Sequence, residues 1–115
     1  MLVSILINNY NYAKYLDTCI CSVLKQTYPN IEVIIYDDKS KDNSINIIQK
    51  YGKKIKLIKG SKKFDYPSFN QANAINNAFQ ISKGDVICLL DSDDYFEKNK
   101  VEKVVSIFKS DKDVV

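Results

Sequence analysis

The chain contains no histidine in its 115 residues. That absence removes the commonest general base at neutral pH, every Ser/His or Cys/His couple and most zinc-enzyme ligand sets. Acid/base chemistry must therefore come from carboxylates. Glycine is scarce as well: Gly52, Gly60 and Gly84 are the only three. None stands in a G-x-G-x-x-G or G-x-x-x-x-G-K arrangement, which disfavours a dinucleotide-binding turn and a P-loop. Cysteine is odd in number, with Cys19, Cys21 and Cys88 lacking paired spacing, so the three read as reduced core thiols rather than disulfides or a zinc site. No apolar stretch approaches the roughly 18 residues of a membrane span. Met1 to Ile7 lacks the basic region and cleavage site of a signal peptide,. A cytosolic chain without a transmembrane segment is expected. A net charge of +3, with lysines scattered apart from a small group at Lys59, Lys62 and Lys63, gives no basic stripe for nucleic acid.

What is present reads as one domain over residues 1–115. Leu2 to Ile7 is a continuous apolar and β-branched run ending at Asn8 and Asn9, the pattern of a strand covered on both faces. Leu16, Cys19, Ile20, Val23 and Leu24 then recur at helical spacing over about Tyr12 to Gln26,. Ile31 to Tyr36 is a second strand interrupted only by Glu32, and it runs into Asp37 and Asp38. Ser40 or Asp42 is expected to cap a helix carrying Ile45 and Ile48, with Gly52 after it. Ile55 to Ile58 makes a short strand. Past a polar loop, Phe69, Ala72, Ile75, Phe79 and Ser82 define the inward face of a third helix, and Gly84 ends it,. Asp85 to Leu90 is a fourth strand, read as buried. Val101, Val104, Val105 and Phe108 mark a last helix.

The order βαβαβαβα predicts an α/β fold in three layers, a mostly parallel sheet with helices on both faces. All strands of such a sheet point one way. Asn8 to Tyr10, Asp37-Asp38 and Asp91-Ser92-Asp93-Asp94 therefore emerge together along its carboxyl edge, where ligands of open α/β sheets bind. Like charges ~4 Å apart repel by about 1 to 4 kcal/mol, so three crowded carboxylates favour a cation. Mg²⁺ or Mn²⁺ would suit carboxylate oxygen. In an extended segment Asp91 and Asp93 face the same side and can share one ion. A capping turn before the last helix explains the same acids equally well. Asp37 could accept the imino proton of a pyrimidine, or close an Asx-type turn. Tyr10 could stack on a base, or simply pack.

In this order the segments resemble the family 2 inverting glycosyltransferases of GT-A fold. Val3-Ser4-Ile5-Leu6-Ile7-Asn8-Asn9-Tyr10-Asn11 is similar to the family's opening strand and loop, and Ser22 to Tyr28 to the close of its first helix. Asp37-Asp38-Lys39-Ser40-Lys41-Asp42-Asn43-Ser44 resembles D-D-G-S-x-D-x-S. Asn76 with Ser82-Lys83-Gly84-Asp85 resembles the third helix and its exit, and Leu90 to Asp94 the D-x-D motif. Lys39 stands at the usual glycine, Asn8 at a common proline, and Ile75 at an arginine that often precedes Asn76. The resemblance implies a nucleotide-sugar-binding domain for a nucleoside-diphosphate sugar, taken as a UDP-sugar. Asn9, Tyr10, Asp37, Asp38, Asn76 and Asp91 would bind the nucleotide. Asp93, with Asp91, would hold Mg²⁺ or Mn²⁺, and Asp94 would orient the sugar or its neighbours. It further implies inverting transfer to a glycan or lipid-linked acceptor in cell-surface polysaccharide synthesis, at the cytoplasmic face of the membrane. The general base of such an enzyme lies in an acceptor-binding half, expected beyond Val115. A non-catalytic module of the same fold is one alternative. A Mg²⁺-dependent phosphatase or receiver-type domain, which also places acids at strand ends, is another.

Overall fold

The computed structural model describes residues 1–61 and 67–110. Lys62 and Lys63 lie outside the described residues. Four strands, β1 (Val3–Asn9), β2 (Ile31–Asp37), β3 (Lys56–Lys59) and β4 (Val86–Asp91), alternate with helices α1 (Ala13–Leu24), α2 (Ser44–Gln49), α3 (Pro67–Ile81) and α4 (Lys100–Ser110). A single 3-10 turn, Gly52–Lys54, precedes β3. Every strand pair is parallel, in the order β3-β2-β1-β4. The sheet is thus wholly parallel among the described residues.

Strand order decides which face each helix covers. The chain steps outward from β1 to β2 to β3, then returns across the sheet to β4. Right-handed crossovers put helices from opposite directions of travel on opposite faces. Accordingly Leu16, Cys19, Ile20 and Val23 of α1 and Ile48 of α2 join Val3, Ile5, Ile7, Val33, Ile35 and Cys88 in one core, to which Val101 and Val105 of α4, after the last strand, also belong. On the other face Leu6 and Ile34 pack with Ala78 of α3. The reversal of direction sits between β1 and β4, which makes their carboxyl ends the switch point where a crevice opens.

The inward face of α3 differs from its expected one. Phe69 is 57% and Phe79 56% exposed, Ala72 is exposed, and Ala74 and Ala78 are the buried pair. Asn73 and Asn77 flank that pair, half-buried. Asn73 Nδ2 donates to the hydroxyl of buried Tyr36 (3.0 Å), and Asn77 Nδ2 donates to Asn73 O (2.8 Å). Small and amide side chains face the sheet because α3 lies close over β1 and β2, where a phenyl ring has no room. The fourth strand also departs from a buried one. It is an edge strand among the described residues, and Leu89 is 54% exposed.

Candidate active site at the carboxyl edge of the sheet

Sheet register brings the polar strand ends side by side. Asn9 is level with Asp37, and Asn8 with both Tyr36 and Asp91. The backbone continues the pairing past the strands: Asp38 N donates to Asn9 O (2.9 Å) and Ser92 N to Asn8 O (3.3 Å). Asn9, Tyr10, Asp37, Asp38 and the 91–94 segment therefore share one edge, as their strand-end positions require.

Asp37 is held from several directions and is 1% exposed. Its Oδ1 accepts from Asn9 Nδ2 (2.8 Å) and Ser40 Oγ (2.6 Å), and its Oδ2 accepts from Ser40 N (2.9 Å). Its carbonyl accepts from Gly60 N (2.7 Å). A Cβ on Gly60 would lie 2.6 Å from the Tyr36 hydroxyl and 3.0 Å from Asp37 O, so only glycine lets the end of β3 approach this closely,. Asn9 and Asp38 are buried as well, whereas Tyr10 is 36% exposed. Tyr12 and Tyr15, both exposed, stack tilted with centroids 5.8 Å apart beside it in the chain. A base can reach the tyrosines directly. The Asp37 carboxylate lies behind them, bonded to Asn9 and Ser40.

The 91–94 segment is a turn, closed by Asp94 N donating to Asp91 O (3.0 Å), and not the extended run that would set Asp91 and Asp93 on one side by alternation. The turn leaves Asp91, Asp93 and Asp94 exposed and buries Ser92 at 1%. Ser92 Oγ in this turn and Asn9 Oδ1 at the end of β1, both buried, have no hydrogen-bond partner among the described residues. The negative field of the turn is registered by Cys19 beneath it, whose Sγ approaches Asp91 O at 3.8 Å. Burial pushes that thiol up to about 12, with Asp94, Asp93 and Asp91 adding to the shift. Among the described residues no lysine pairs with these acids; the ion pair recorded is Lys56 with Glu32, elsewhere. No group of three or more His, Cys, Asp or Glu among the described residues is arranged as a metal cage. Two carboxylates completed by substrate phosphates are the usual protein share of a Mg²⁺ site, so the donor set fits such an ion without a cage.

Asn76 stands apart. It is exposed on α3, whose axis runs from the carboxyl edge toward the amino edge, and at 1.5 Å per residue it lies roughly 14 Å below the helix start,. Reading the sequence missed Ser40, Asn11 and Asp42 as site residues. Of the two residues expected to cap α2, Asp42 does so: its Oδ1 accepts from Ser44 N (3.0 Å) and Ser44 Oγ (2.5 Å) at the helix start, while its Oδ2 accepts from Ala13 N at the start of α1 (3.0 Å). Ser40 bonds between loops instead.

Residues 4–115 match the description "Glycosyl transferase family 2". The chain belongs to that family. Among curated relatives, an uncharacterised glycosyltransferase of Nostoc sp. is 39% identical over 114 residues, covering 96% of this chain and 34% of its own length. Chondroitin synthase of Pasteurella multocida is 42% identical over 112 residues, covering 96% and 11%. Among solved structures, S. aureus TarS 1–349 in complex with UDP superposes with a TM-score of 0.82 at 27% identity, covering 96% of this chain and 32% of that one. The family 2 chain thus has the GT-A fold and spans between 11% and 43% of the length of the curated relatives it matches.

Proposed function

We propose that this family 2 domain binds a nucleoside-diphosphate sugar, specifically a UDP-sugar, and serves inverting transfer of the sugar to an acceptor hydroxyl. The observation that carries the reading is the meeting of the exposed acidic turn 91–94 with Tyr10 and Asp37 at the switch point of the sheet. The UDP complex of TarS supports the choice of nucleotide. Tyr10 stacks on the base and Asp37 accepts its imino proton. Asn9 and Asp38, both buried, hold that loop from behind. Asp91 and Asp93 would hold Mg²⁺ or Mn²⁺, which when bound neutralises charge on the departing diphosphate. Asp94 orients its neighbours or the sugar. The acceptor is a glycan or a lipid-linked sugar, consistent with a polysaccharide synthase among the relatives. The carboxylate that takes the acceptor's proton is assigned to the part of the family's length outside residues 1–115.

Calorimetry of UDP binding with and without Mn²⁺ tests the reading on the wild type and on Asp93→Asn. Metal-dependent affinity is expected to fall at least about tenfold in the variant, the effect of losing roughly 1.4 kcal/mol. Equal metal-dependent affinity in both proteins would remove Asp93 from the site.

A further inference from the structure

Ser40, in the β2–α2 loop, reaches across to the β1–α1 loop, and its hydroxyl is fully used. Oγ donates to Asp37 Oδ1 (2.6 Å) and accepts from Asn9 Nδ2 (3.2 Å) and from Asn11 N (2.9 Å). One donor and two acceptor positions are all that a hydroxyl has. Its own N–H donates to Asp37 Oδ2 (2.9 Å), so Asp37 and Ser40 are doubly joined. Two further bonds zip the same pair of loops, Lys41 N to Asn11 Oδ1 (2.7 Å) and Ala13 N to Asp42 Oδ2 (3.0 Å). Both loops turn through left-handed residues, Asn11 and Lys39, each at φ 57°. Isolated residues hold that conformation only when their surroundings over-determine it.

The chain direction fixes what this junction controls. Asn9 and Asn11, which bond to Ser40, bracket Tyr10, and Asp37 is bonded to Ser40 directly. A carboxylate only accepts, so the amide nitrogen of Asn9 must face Asp37 and Ser40; the amide cannot turn over without losing both bonds. The ring assigned to stack on a base and the carboxylate assigned to accept its proton are thereby linked through one hydroxyl, beside the direct bond from Asn9 to Asp37. The acidic turn 91–94 makes no hydrogen bond to Ser40 among the described residues.

We propose that Ser40 is a positioning residue, which pre-organises Tyr10 and Asp37 for the nucleobase and has no part in holding the diphosphate. The inference rests on the nucleotide-sugar reading above and adds a base-specific role that the reading does not contain. Pre-organised loops bind more tightly because less ordering remains to be done on association.

The test compares wild type, Ser40→Ala, Ser40→Thr and Asn11→Gly. UDP and inorganic pyrophosphate are titrated in the presence of Mn²⁺, and amide exchange of Asn11 and Lys41 is followed in the free protein. Ser40→Ala should bind UDP about tenfold more weakly, the loss expected of one to two net hydrogen bonds, with pyrophosphate affinity unchanged and Asn11 exchange accelerated. Ser40→Thr, which keeps the hydroxyl, should recover UDP affinity. Asn11→Gly keeps the left-handed turn, removes only the bond to Lys41, and should give a smaller loss of the same kind. Unchanged UDP affinity in Ser40→Ala, or an equal loss for pyrophosphate, would overturn the proposal. If the wild type bound no UDP while Asn11 protection still depended on Ser40, the loop junction would be real, and the nucleotide reading and the positioning role would both fall.

Discussion

Glu32 shows at residue scale how a polar interruption in an apolar strand is explained by its surroundings. Its Oε2 accepts from Ser4 Oγ (2.5 Å) and Lys83 N (2.6 Å), and its Oε1 pairs with Lys56 Nζ (2.9 Å). Burial alone would raise its pKa, but these donors outweigh burial and hold it at about 2, below the ordinary 4.5. A lowered folded-state value stabilises the fold fully above pH 4.5, and the contribution is lost as pH falls toward 2. At about 1.4 kcal/mol per unit this is at most about 3–4 kcal/mol. Glu32→Gln should therefore unfold more easily than wild type at pH 7 in urea, with the difference shrinking toward pH 2 to 3. A difference independent of pH would refute the assignment. Gly84 belongs to the same junction. Its N–H donates to Ser4 Oγ (2.8 Å), and a Cβ there would lie 2.4 Å from that oxygen. Lys39 offers a second test. Its left-handed φ of 57° strains an L side chain, so Lys39→Gly, which restores the residue usual in the family at that position, should stabilise by about 0.5 kcal/mol in urea unfolding. A loss of stability would mean that the lysine side chain contributes more than its backbone strain costs.

At the scale of elements, strands and helices were legible wherever one apolar pattern dominated. The α1 stripe of Leu16, Cys19, Ile20 and Val23 is buried as its spacing requires. The third helix was legible as a helix and misread as to face. Its phenylalanines look outward, and Ala74 and Ala78 meet Leu6 and Ile34. Hydrophobic spacing assumes that the most apolar stripe is the buried one, and close helix-to-sheet approach instead selects small residues. Ala78→Leu should cost about 1–3 kcal/mol by overpacking, whereas Phe79→Ser should change stability by no more than about 0.5 kcal/mol. Thermal unfolding of the two variants separates the faces, and the reverse ranking would restore the phenylalanine face as the buried one. The amide pair Asn73 and Asn77 was invisible to periodicity because its partner, Tyr36, lies 37 residues from Asn73 in the chain.

At the scale of the whole molecule, the strand order β3-β2-β1-β4 sets Asp37 and Asp91 on either side of β1. With the chain spanning less than half the length of the curated relatives it matches, residues 1–115 alone are expected to bind UDP and to transfer no sugar. A radiolabelled transfer assay with glycan acceptors checks this, and efficient transfer would place the general base inside this chain. The sequence by itself determined the alternation of strands and helices, the parallel sheet and the set of polar groups at its carboxyl edge. Those features follow from local periodicity and from the single direction that parallel strands share. Only the tertiary structure decided that Asp37 is buried, that 91–94 is a closed turn, that α3 presents alanine and asparagine inward, and that Ser40 joins two loops rather than capping a helix. Each of these depends on partners remote in sequence. The hydrogen bond from Asn9 to Asp37 spans 28 residues, and that from Asn11 N to Ser40 spans 29, distances over which spacing rules carry no information.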